Sequence, residues 1–287
     1  MNAIFKNLKT KIGEEETRNL IYLFLIAFGV RIIINIFYAP ELIGDAEEYF
    51  INSQTLENTA QHFPYNHWYE RTPVYMLFLH ITGQSLFIQI ILSALTCVLL
   101  EKLYKYSGWI YCFYLPSIFY SNVYMKTTLL TFLFVWLVYL FRNRKLWLII
   151  ILPLVFAGFI SYGGVIDYNL KVAAGQTSFT IRLWKLWRPD WYYTIFIQYP
   201  PIWLEFLIKN LFMIYYIPAL IIFIRKIKFS NYEFWIVIFI SLVAIFSFGN
   251  ERYREPAMPF IIGFITPYLI EYFKQLKVIF ATISHKN

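Results

Sequence analysis

The sequence predicts an all-α protein, a polytopic transmembrane helical bundle of about eight spans with interfacial helices in its first outer loop. Three observations predict it. Hydrophobic residues make up 59% of the 287-residue chain and charged residues only 15%, against roughly 25% charged in soluble domains. Runs such as 19–38 (NLIYLFLIAFGVRIIINIFY) and 230–248 (SNYEFWIVIFISLVAIFSF) are long enough to cross about 30 Å of hydrocarbon. Basic residues gather at the ends of these runs.

In chain order the spans read about 19–38, 84–104, 108–124, 127–141, 146–163, 201–224, 230–249 and 257–273. The third and fourth are short and joined by a tight turn. The first is too long for a cleavable signal peptide, and no small-residue cleavage site follows it. The clusters Lys6/Lys9/Lys11, Lys102/Lys105, Arg142/Arg144/Lys145, Arg225/Lys226/Lys228 and Lys274/Lys277 all fall on one side of the bundle. By the positive-inside rule that side is cytoplasmic, and with it both termini of a multi-pass protein of the plasma (inner) membrane. The whole chain, 1–287, is then one membrane domain.

Two longer segments, 39–83 and 164–200, lie outside, where the charged turn 250–256 meets them. Segment 73–82 (PVYMLFLHIT) is apolar but too short to cross, so it lies in the interface or re-enters, with a break at Gly83. Segment 176–195 mixes Arg182, Lys185 and Arg188 with tryptophans and tyrosines. That mixture suits an amphipathic helix at the headgroups, stopped before Pro189. No internal repeat is evident. The net charge of +8 is explained by the span ends and gives no reason to expect nucleic acid. Cys97 and Cys112 stand in apolar stretches as small core residues, without disulfide or metal-type spacing.

The chemistry concentrates in residues 41–75. Of the 17 acidic residues, Glu41, Asp45, Glu47, Glu48, Glu57 and Glu70 fall here, where an apolar span meets water. Gly44-Asp45 is a plausible helix start with Asp45 as N-cap. Alternatively, a partly desolvated Asp45 has a raised pKa and takes a proton from an attacking hydroxyl as a general base. Glu47 and Glu48 fit a solvated helix surface. On the same outer side, Arg71, Lys126, Arg182, Lys185, Arg188, Arg252 and Arg254 come from separate segments. They either clamp a phosphate or meet lipid headgroups. Arg252 and Arg254 stand in GNERYREP, where pairing with Glu251 and Glu255 is the structural alternative.

Arg31 lies inside the first span, and an intramembrane arginine must face the bundle or a wet cavity. Pairing with a carboxylate is its default role. Glu205 and Lys209 are spaced to pair with each other. His62 and His67 are weighed with Asp45 as metal ligands, but their spacing matches no strong motif, so no metal or other cofactor is indicated. No phosphate-binding glycine loop, GxSxG or HExxH is present, and the inner loops are too short to fold around a cytosolic nucleotide.

Taken together, these residues resemble the GT-C glycosyltransferases, in particular the group of protein O-mannosyltransferases and the lipid A aminoarabinose transferase. The resemblance rests on Arg31 in the first span and on GDAEEYF, with Asp45 and Tyr49. It continues through ERTPVYMLFL, with Arg71, Pro73 and Tyr75, and the proline-containing third span before a polar turn. It ends at GNERYREPAMPFIIGF. It covers about 19–145 and 195–273. It implies transfer of a sugar from a polyprenyl-phosphate donor to an acceptor hydroxyl on a glycan, lipid or protein at the outer face of the membrane, part of cell-envelope glycosylation. Asp45 would be the base of an inverting reaction. Arg71, with Arg252, Arg254, Lys126 and Arg188, would hold the donor phosphate, and Arg31, Tyr49 and Tyr75 would support them.

Two departures stand out. Relatives often carry an acidic residue at the turn before span four, where this chain reads Met125-Lys126-Thr127-Thr128. The chain is also shorter than such relatives, as if contracted between spans five and six. A non-enzymatic flippase of polyprenyl-linked sugars, or a subunit that needs a protein partner within a larger transferase, are the alternative expectations.

Overall fold

The structure, a computed structural model, describes residues 2–37, 45–54, 73–143, 183, 186–187, 216–246 and 251–284. Among them all regular structure is helical. In order come α1 (Asn2–Phe37), α2 (Asp45–Ser53), α3 (Pro73–Ile81), α4 (Leu86–Leu103), α5 (Ser107–Cys112), α6 (Leu115–Tyr120) and α7 (Lys126–Arg142). A helical stretch at 216–226 follows, then α8 (Tyr232–Phe246), a 3-10 helix (Glu251–Ala257) and α9 (Met258–Ser284). Among the described residues, three segments are long and apolar enough to cross a membrane: Glu14–Phe37, Leu86–Leu103 and Arg254–Gln275. Helix α8 is apolar but shorter. The predicted span at 146–163 and residues 201–215 of the next lie outside the described residues.

Helix α4 is the hub, packing against α1, α5 and α7. Its buried face carries Gln89, Ile90, Ser93, Ala94, Thr96, Cys97 and Leu100, positions that recur at helical spacing. The 3-10 helix packs on α7 and α8, and α9 packs on α5, so the end of the chain returns to the middle of the bundle. Around this junction lies the main core, with Leu23, Ala27, Leu100, Tyr111, Phe119, Tyr216, Met258 and Ile261. A smaller core of Tyr49, Tyr75, Met76, Leu79 and Leu129 joins α2 and α3 to α7.

The break predicted at Gly83 is real. Gly83 and Gln84 both have positive φ, 59° and 58°, and the Gln84 N–H donates to the Leu79 carbonyl at 2.7 Å. Gly83 adopts this conformation freely, whereas Gln84 is strained there. Contacts hold it in place. Its amide nitrogen donates to Ser53 Oγ at 3.2 Å, and its carbonyl accepts from the Tyr124 hydroxyl at 3.0 Å. The turn after α3 is thereby tied to α2 and to the chain before α7.

The third predicted span, 108–124, is a correction: it is not one helix. It divides into α5 and α6, parted at Phe113 and the extended Tyr114. Pro116 explains the restart, because it sits in the first turn of α6, where its missing N–H costs nothing. The entry to α5 is fixed by Glu101, whose carboxylate accepts from the Tyr106 N–H at 2.8 Å and the Gly108 N–H at 3.1 Å. Gly108 itself packs so closely on α4 that a Cβ there would collide with the Cys97 carbonyl.

Candidate functional site

Asp45 is the first residue of α2, as the helix-start reading anticipated; the position of its side chain lies outside what is described. Helix α2 packs on α3 through Tyr49, whose ring meets Tyr75 edge-on with centroids 4.8 Å apart. The Tyr75 hydroxyl donates to Gln89 Oε1 at 3.0 Å, and burial pushes its phenol well above the ordinary value. Both tyrosines expected to support the site therefore link the loop helices to α4. Glu47 is exposed, as expected of a solvated helix surface. Arg71 and Arg188 lie outside the described residues, and so do Arg182, Lys185, His62, His67, Glu205 and Lys209.

Arg31 is fully buried, but the expectation that it pairs with a carboxylate is corrected. Its Nε donates to Ser93 Oγ at 2.7 Å. Its Nη1 donates to the carbonyls of Ala27 at 2.9 Å and Cys112 at 3.4 Å. Its Nη2 donates to Ser117 Oγ at 2.9 Å and to Cys97 Sγ at 3.7 Å. Every N–H of the guanidinium is thus used, and each acceptor is neutral. The end of α5 helps, because a terminal carbonyl there has no helical partner of its own.

Arg254 is equally buried, in the 3-10 helix rather than on a polar surface turn. Its guanidinium lies 4.5 Å over the Tyr216 ring, donates to the Leu186 carbonyl at 3.1 Å and stands 3.8 Å from Glu255 Oε1. The same Glu255 oxygen accepts from the Tyr114 hydroxyl at 3.1 Å. The pairing weighed as the alternative for this turn is therefore present, through Glu255. Arg252 belongs to the same 3-10 helix, with its side chain outside what is described. Lys126 opens α7 and is half-buried.

Between these arginines lies a partly open polar cleft. It is lined by Ser93 and Thr96 of α4, Tyr111 of α5, Ser117 and Tyr120 of α6, Thr127, Thr128 and Thr131 of α7, and Glu255. Its free volume is about 10 Å³, room for about one water by that measure. Ser93 and Ser117, 3.3 Å apart, face both Arg31 and the cleft. Among the described residues no group of three or more His, Cys, Asp or Glu side chains is placed to hold a metal ion.

Sequence reasoning passed over most of this cleft. The signals were present: Gln89, Ser93 and Thr96 recur at i, i+4 and i+7 within an apolar helix, and Thr127, Thr128 and Thr131 share a second one. Nothing local announces that Glu255 joins them. Comparison with known proteins gave no matching family model, no matching curated protein and no matching solved structure.

Proposed function

We propose that this chain is a membrane glycosyltransferase of the GT-C type, with about eight spans and both termini in the cytoplasm. It moves a sugar from a polyprenyl-phosphate donor to an acceptor hydroxyl at the outer face, with inversion. Asp45 takes the proton from the acceptor. Arg71 and Arg252, with Lys126 and Arg188, neutralise the phosphate as it leaves. The carrying observation is convergence: buried charged groups from the first helix and from the last turn flank one hydroxyl-lined cleft within apolar helices. Intramembrane charge is expensive and is kept where function needs it. Asp45 stands at the head of a helix that packs on the short α3, in the acidic stretch that follows the first apolar segment.

The test uses the full chain in lipid nanodiscs with a panel of polyprenyl-phosphate hexoses and a hydroxylated acceptor. Asp45→Asn is expected to fold and to lose transfer by about 10²–10⁴-fold, the usual value of a positioned base. Transfer at the wild-type rate by the Asn variant would overturn the base assignment. Movement of the lipid-linked sugar across the bilayer, undiminished in Asp45→Asn and without transfer by wild type, would make the protein a flippase instead.

A further inference from the structure

The cleft has its own chemistry, separate from the phosphate clamp. We propose that it is a recognition pocket for a single hydroxyl of the transferred sugar; this rests on the transferase reading above. Three observations carry it. The space matches one water, and therefore one hydroxyl standing in a water's place. Its lining is suited to a hydroxyl and unsuited to an oxyanion. Glu255 is a buried acceptor that would repel phosphate, while the guanidinium of Arg31 has no N–H left to offer an anion. Finally, among the described residues the hydroxyls of Thr127 and Thr128 make no hydrogen bond, whereas that of Thr131 is spent on the Thr127 carbonyl at 2.8 Å.

A hydroxyl needs one acceptor for its proton and offers lone pairs to donors. Glu255 supplies the acceptor, and Thr127 and Thr128 supply the donors. Such a site favours a ligand that completes its hydrogen bonds over one lacking the group, because buried polar atoms left unpaired are costly. Ser93 and Ser117, already engaged by Arg31, form a fixed wall.

The experiment measures equilibrium binding to the full chain in nanodiscs by tryptophan fluorescence. The probes are bare polyprenyl phosphate and polyprenyl phosphate carrying glucose, galactose or mannose. At least one sugar-bearing lipid is expected to bind ~10-fold more tightly than the bare lipid, the value of one good hydrogen bond. Thr128→Val and Thr127→Val should each erode that preference, Thr128→Ser should keep it, and Thr131→Val should leave it unchanged. Equal binding of all four lipids by wild type overturns the pocket, and this comparison needs no variant to fold. A preference surviving both valine variants also overturns it. Transfer without sugar preference would sink the pocket and leave the transferase reading standing. Preference without transfer would do the reverse.

Discussion

Arg31 and Arg254 are both fully buried, and the bundle accommodates their charge by opposite means. Arg254 is compensated by Glu255, the face of Tyr216 and one carbonyl. Arg31 is compensated by dipoles alone: two serine hydroxyls, two carbonyls and a thiol. The two settings differ most when the arginine is removed. Taking away one member of a buried ion pair leaves the other charge stranded, which costs about 3–5 kcal/mol, whereas taking away a buried cation whose neighbours are neutral strands no charge and costs about 1–3 kcal/mol for an acceptor left buried without a donor. Of the two, Arg31 is the one that shares Ser93 and Ser117 with the cleft.

The sharpest way to break this contrast is Arg254→Met, expected to destabilise the protein by about 3–5 kcal/mol. Unfolding of the detergent-solubilised chain would measure it, and Arg254→Met combined with Glu255→Leu should recover much of the loss. If the double variant is no better than the single one, Arg254 is not held as half of a pair. Glu255→Gln comes next, at about 1.5–3 kcal/mol, because it keeps an acceptor for Tyr114 but removes the charge that faces the guanidinium. Arg31→Met should cost about 1–3 kcal/mol, since Ser93 and Ser117 can bond each other while the Cys112 carbonyl loses its donor. A loss as large as that of Arg254→Met would collapse the distinction. Smallest is Tyr114→Phe, about 0.5–1.5 kcal/mol for one hydrogen bond to Glu255.

What the sequence revealed follows the same division between local and distant causes. The second predicted span, 84–104, coincides with the candidate membrane segment Leu86–Leu103, and the fourth, 127–141, coincides with a helix, Lys126–Arg142. The interfacial segment at 73–82 is helix Pro73–Ile81, ending at the turn through Gly83. Hydropathy, glycine and terminal basic residues act on their own neighbourhood, so they are readable in place. The divided third span was harder, because Pro116 signals a helix start and an interruption equally well. The surroundings of Arg31 could not be read at all: Ser93 and Ser117 lie 62 and 86 positions away. Glu255 reaches Tyr114 across 141 positions, and only packing brings them together. Of the candidate site, the helix start at Asp45 was legible, while the Tyr49–Tyr75 contact and the hydroxyl cleft were not.

The length of α4 carries a consequence for the surrounding lipid. It contains 18 residues, so it rises about 27 Å, a little short of the roughly 30 Å hydrocarbon layer of an average bilayer. Accommodating such a shortfall costs fractions of a kcal/mol for each ångström of mismatch, so a bilayer a few ångströms thinner than average fits α4 without deformation.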